Sequence, residues 1–194
     1  MKFYYAPGAC SLADHIALHE AGLSFEHEKV DLKTKRTEGG IDFSTINPKG
    51  YVPALTLDSG ETLSENIAIL DWIAHQDSKL APSGPMGHTH LLEALAFIST
   101  EIHKSFKPFF IGAGDSEKAK AGELIRKRMG YLADTMKGDY LFGSAVSVAD
   151  FYLFVMLLWA KKNGVEPPTP LVAFRERMMT LPSVQKAMKH EGLS

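Results

Sequence analysis

Over roughly the first 75 residues, short apolar runs alternate with stretches of helical spacing; beyond residue 87 the spacing is helical throughout. Lys2 to Tyr5 is an aromatic-rich strand signal stopped by Pro7-Gly8. From Ser11, the apolar positions Leu12, Ile16, Ala17 and Leu18 predict a helix, and Gly22 stands where a terminating glycine belongs. Phe25 to Val30 predicts a second strand, followed by a charged stretch from Lys33 to Gly40. Asn47-Pro48-Lys49-Gly50 is a turn, and Asp58-Ser59-Gly60 joins two short apolar runs as a hairpin. Ser64 offers an N-cap for a helix carrying Ile67, Leu70, Ile73 and Ala74.

The Pro- and Gly-rich segment Ala81 to Gly87 then reads as a linker. After it, Leu91, Leu92, Leu95, Ile98 and Ile102 form one helical face, and Leu124, Ile125, Met129, Leu132 and Met136 another. Ser147-Val148-Ala149-Asp150 resembles a capping box and opens a helix with a ten-residue apolar run, Phe151 to Ala160. A helix apolar on nearly all sides belongs at the centre of a bundle. Two more helices are expected around Pro170 to Thr180 and Pro182 to His190. The order is a small α/β unit at 1–77, a linker at 78–87 and an all-helical unit at 88–194.

Composition narrows the class. A net charge of −2 over 194 residues gives no basic excess for a nucleic-acid partner. The longest apolar run is well short of the ~18 residues that span a bilayer, so no membrane partner is expected. The apolar stretch after Met1-Lys2 is too short for a signal peptide, and a single cysteine excludes an internal disulfide. A cytoplasmic protein is the expectation.

Few residues suggest chemistry by position alone. Cys10 falls between the Pro7-Gly8 turn and the start of a helix, where unpaired N–H groups favour a thiolate. A lone cysteine is equally a small buried apolar residue, and both readings stand. Ala13 occupies the second position of a Cys-X-X-Cys pair, which argues against a dithiol oxidoreductase. Ser11 is a candidate donor or a simple helix cap; Tyr5 is a candidate hydroxyl or a plain strand aromatic. Val52-Pro53, directly before a strand, is a candidate cis bond that would expose a short backbone edge, though spacing alone does not decide it. Glu65 and Asn66 open a helix whose free N–H groups suit a carboxylate. Of eight histidines, His15 and His19 are spaced i, i+4, but no third and fourth ligand follows from spacing, so no metal is expected. Glu101, His103, Lys104 and Lys107 place polar groups on an otherwise apolar helix.

Together these stretches resemble the cytosolic glutathione transferases, and most closely the bacterial beta class. The resemblance rests on Tyr5-Ala6-Pro7-Gly8-Ala9-Cys10-Ser11-Leu12, Lys29 to Lys35, and Asn47-Pro48-Lys49-Gly50-Tyr51-Val52-Pro53-Ala54-Leu55. In the second half it rests on Thr100 to Lys104, Pro108-Phe109-Phe110 and Ser147 to Phe154. It implies a thioredoxin-like N-terminal domain, an all-helical C-terminal domain forming the electrophile pocket, and a homodimer with the site at the domain junction.

The resemblance also implies roles. Cys10, Ser11, Tyr5 and His103 would surround the sulfur of glutathione as co-substrate. Lys35 would reach the glycine carboxylate, Val52 ahead of a cis-Pro53 would pair with the cysteinyl unit, Glu65 and Asn66 would hold the γ-glutamyl end, and Lys104 would approach with His103. The implied activity is conjugation of the glutathione thiolate to small hydrophobic electrophiles; a glutathione-dependent thiol reductase acting through Cys10 and a non-enzymatic ligand-binding protein are the alternatives. Two departures stand out: Ala96 replaces an asparagine frequent in the family, and Tyr51 replaces a glutamine.

Overall fold

The computed structural model describes residues 1–193, and they form two compact units. The first comprises Met1–Ser78 together with the segment from Thr180 onward; the second is Lys79–Met179.

The first unit is built on a five-stranded sheet of order β3-β2-β1-β4-β5. Strand β1 (Lys2–Tyr5) leads through α1 (Leu12–Glu20) to β2 (Glu26–Asp31), which lies parallel to it with Lys2 opposite Glu26 and Tyr5 opposite Lys29. A parallel pair needs a crossover, and α1 supplies it. Strands β4 (Ala54–Thr56) and β5 (Thr62–Ser64) form the expected hairpin, with Gly60 at φ 88° closing its turn. The two-residue β3 (Arg36–Thr37) pairs antiparallel with β2. It lies inside the charged stretch, where no apolar pattern announces a strand. Helix α2 (Asn66–Gln76) then packs on α1.

Alternation along β1 divides the core. Tyr4 points to one side and packs with Phe43, Val30, Val52 and Ala54. Phe3 and Tyr5 point to the other, against the ring of His15 on α1. Helix α1 ends as expected: Gly22 N–H bonds the His19 carbonyl and Leu23 N–H the Leu18 carbonyl, with Gly22 at φ 63°.

The last helix, α8 (Pro182–Glu191), packs against α1 in the first unit. This corrects the boundary read from the sequence, which left everything after residue 87 in the helical domain. The reason lies in α8's apolar face: Val184, Ala187 and Met188 are buried, and the Glu191 carboxylate accepts from Gly8 N–H and pairs with His15 Nδ1, both at 2.9 Å.

The second unit is helical: α3 (Gly87–Phe97), a π-helical segment (Ile98–His103), a 3-10 turn (Lys104–Phe106), α4 (Lys107–Phe110), α5 (Asp115–Thr135), α6 (Val148–Lys162) and α7 (Thr169–Met179). The segment before α3 is a fixed part of the unit. Leu80 is buried, and a Cβ at Gly87 would fall 1.9 Å from the Pro82 carbonyl oxygen, so only glycine permits this approach. The two apolar faces form with one exception each: Leu92 and Leu124 are exposed, each 100° of helical turn away from a buried neighbour, Leu91 and Ile125. Among the described residues, no helix is long and apolar enough to cross a membrane.

Helix α6 is buried along almost its whole length, as its apolar run requires. Its entry is fixed by Asp150, fully buried, whose carboxylate accepts from Leu141 N–H and Ser147 N–H at 2.8 Å and from the Ser147 hydroxyl at 2.6 Å. Removing that carboxylate strands two buried N–H donors, each costing ~1–3 kcal/mol. Asp150→Ala is therefore expected to lose about 3 kcal/mol of stability. Urea denaturation followed by circular dichroism measures it; an unchanged midpoint would refute the capping argument.

Candidate active site

Two segments of the first unit, at Val52 and at Asn66, meet the Cys10 turn before α1. Cys10 is half-buried in that turn; its sulfur lies 4.0 Å from the Val52 carbonyl oxygen and faces the backbone N–H groups of Cys10 and Ser11. Burial nevertheless pushes the Cys10 thiol up to about 12, and the nearby Asp14 carboxylate adds to the effect. The thiolate expected from the helix start is thus not the resting form: desolvation outweighs the N–H groups.

Asn66 ties α2 to the same turn. Its amide donates to the Cys10 carbonyl at 3.1 Å and to Asp14, both donors coming from one buried side chain. Asp14 is fully buried, and burial holds its carboxyl well above the usual carboxylate range. The sequence offered no hint of this pair, because residues 14 and 66 meet only through helix packing.

Ser64 does not cap α2. It remains in β5, and Glu65 takes the N-cap position at φ 76°, in the left-handed region. For a non-glycine residue such backbone costs on the order of 1–3 kcal/mol and persists only where the surroundings enforce it. The side chain is fixed as well: Lys49 Nζ and the Tyr51 hydroxyl each donate to Glu65 Oε1 at 2.6 Å. Tyr51, a departure from the family pattern, thus orients the acid. Beside it, Lys35 Nζ donates to the Gly50 carbonyl at 2.7 Å, and Lys35 itself sits at φ 57°. The Val52-Pro53 peptide is cis, and both residues are buried.

Lys35, Cys10, Val52, Pro53, Glu65 and Asn66 therefore lie along one chain of contacts. Two expected members do not join it. The Ser11 hydroxyl is fully buried and bonds the Ala6 backbone, so it neither caps α1 nor faces outward. Tyr5 points to the opposite side of the sheet, its hydroxyl donating to the His190 carbonyl at 3.4 Å. Alternation along β1 puts it with Phe3, away from Tyr4 and Val52.

In the second unit, His103 ends the π-helical segment and bonds the Tyr152 hydroxyl at 2.6 Å, with its ring against Trp159. Burial lowers its pKa to about 4, helped by Lys104, so the imidazole is neutral near pH 7. Which of the two groups donates follows from the imidazole tautomer. Lys104 is exposed. Trp159 also packs edge-on against Phe106 and Phe110, and Phe110 and Ile111 are exposed. Ala96 is exposed as well, offering only its carbonyl, which accepts from Thr100.

Comparison with known proteins accounts for this arrangement. The glutathione S-transferase N-terminal domain matches residues 9–76 and the C-terminal domain of that family residues 100–191. Glutathione S-transferase GstA of Escherichia coli O157:H7 is 40% identical over the full length of both chains. Two solved structures are similar throughout: a sphingomonad glutathione S-transferase complexed with glutathione, with 48% identity, TM-score 0.92 and 100% of both chains covered, and a bacterial beta class glutathione S-transferase from Sphingomonas chungbukensis, with 46% identity, TM-score 0.92 and the same coverage. With both halves of the sequence matched and the fold shared from end to end, the chain belongs to the glutathione S-transferase family.

Proposed function

We propose that this protein conjugates glutathione to small hydrophobic electrophiles, and that Glu65 is the observation that carries the reading. The Glu65 carboxylate, fixed by Lys49 and Tyr51 at the N-terminus of a helix, places an ammonium acceptor beside the first backbone N–H groups of that helix. That combination suits the α-amino acid end of a γ-glutamyl peptide, whose ammonium and carboxylate are adjacent. Val52 contributes a backbone edge for the cysteinyl unit, and Lys35 a cation for the glycine carboxylate. Asn66 holds α2 against the Cys10 turn, a positioning role that replaces the direct γ-glutamyl contact implied by the resemblance.

In the reaction, the tripeptide's sulfur takes the place near the backbone N–H groups of Cys10 and Ser11. Those donors favour its anion by ~0.3–1 kcal/mol. The thiolate lone pair forms the new C–S bond, and the leaving group departs with the electrons of the bond it breaks. Cys10, a protonated thiol, acts as a neighbour of the sulfur. Within the helical unit, His103 and Lys104 are the candidate polar groups, and Phe110 is an exposed aromatic beside them. The exposed Leu92, Leu124 and Tyr131 on α3 and α5 support a homodimer, and the lone cysteine supports a reducing, cytoplasmic setting.

Three measurements bear on this reading. With 1-chloro-2,4-dinitrobenzene as acceptor, Glu65→Gln is expected to raise the KM for glutathione tenfold or more with a smaller change in kcat. An unchanged KM would remove Glu65 from the glutathione site. Cys10→Ala is expected to keep conjugation, and in the native protein Cys10 should react with iodoacetamide about a hundredfold more slowly than a free cysteine at pH 7. Loss of conjugation in Cys10→Ala, or rapid alkylation at neutral pH, would favour the thiol reductase instead. Light scattering should give twice the 21.3 kDa chain mass; a monomer would rule out the dimer.

A further inference from the structure

Outside the Cys10 turn, the first unit brings four histidines together on the covered side of the sheet. His15 and His19 come from α1, His27 from β2 and His190 from α8. One nitrogen from each of His15, His27 and His190 lies within 4.8 Å of the other two. The rings of His27 and His190 are stacked, with centroids 4.6 Å apart, and His19 Nε2 is 3.3 Å from His190 Nδ1.

Packing alone does not account for His15. The residue is fully buried; its Nδ1 is engaged by Glu191 at 2.9 Å, and its Nε2 has no hydrogen-bond partner among the described residues. A buried ring nitrogen without a partner carries a desolvation cost that an aromatic residue of similar size would avoid. Because Nδ1 is occupied, Nε2 is the atom free to act as ligand. A carboxyl group on one imidazole nitrogen with the other left open is an arrangement that orients a metal-binding histidine.

We propose that His15, His27 and His190 form a binding site for a borderline divalent cation, with Zn2+ as the representative ion. Imidazole nitrogen suits Zn2+, and three histidines leave a fourth tetrahedral position for water. Zn–N bonds of about 2.0–2.1 Å require the nitrogens to draw closer than they now stand. The adjustment falls on His27, which is exposed, and His190, which is half-buried; His15 stays fixed by Glu191. Solvent reaches the cluster along His27, giving the ion a way in. His19, bonded to His190, orients that ring. The bound ion would clamp α1, β2 and α8 to one another, on the opposite face of β1 from Tyr4 and Val52. This site is separate from the glutathione chemistry and does not depend on it.

The sequence could not reveal the site: the i, i+4 pair His15 and His19 does not form it, and its other two ligands come from residues 27 and 190. The test is titration of tag-free protein with Zn2+ alone by calorimetry, alongside thermal denaturation with and without Zn2+. The expected result is one ion per chain and a raised melting temperature. His27→Gln and His190→Gln should each weaken binding tenfold or more, and the double variant should lose both the heat and the thermal shift. Cys10→Ala and His90→Gln should bind as the wild type does. Because His27 is exposed, His27→Gln keeps the test valid even if changes at His190 disturb α8. Absence of saturable binding, or binding undiminished in His27→Gln, would overturn the proposal.

Discussion

The first unit depends on one carboxylate. Glu191 sits near the end of the described chain, yet its two oxygens hold the backbone of Gly8 and the ring of His15, so it ties the turn that presents Cys10 to the body of α1. It is buried, and burial pushes its carboxyl up to about 8. Near pH 7 it is largely the neutral acid, held by hydrogen bonds, and removing one of those contacts strands a buried polar group at a cost of ~1–3 kcal/mol. The whole of α8 is needed to deliver this group, which explains why the final helix belongs with the sheet and why α1, α8 and the Cys10 turn form a single packed body.

Around that body, burial repeatedly overrides local electrostatics. A helix N-terminus offers an anion ~0.3–1 kcal/mol, while burying an ionisable group can shift its pKa by ~3–5 units. At Cys10 the second effect wins, and the thiol stays protonated. At His103 the same effect gives a neutral imidazole with a fixed hydroxyl partner. At Glu65 the balance differs because the group is exposed: there the backbone is strained and the carboxylate is fixed by direct bonds from Lys49 and Tyr51. The Glu65 end is therefore charged and open, and the Cys10 turn is largely desolvated.

The sequence by itself determined everything that rests on periodicity, turn chemistry and local capping. The helical spacing from Leu91 to Ile102, the Asp58-Ser59-Gly60 hairpin, the Gly22 terminus and the Ser147–Asp150 box are all interactions between neighbours in the chain, and each appears where the pattern places it. The family resemblance added the candidate glutathione residues, since Lys35, Val52, Glu65 and Asn66 sit in short segments that resemble the family's motif. Tertiary structure decided the rest. Which side of β1 Tyr5 faces, that Ser11 turns inward, that Asp14 meets Asn66, and that α8 returns to α1 all depend on which apolar face is covered and by what. The histidine cluster shows this most plainly, because residues 15, 27 and 190 share no local pattern and become neighbours only when a helix, a strand and the last helix stack on one face of the sheet.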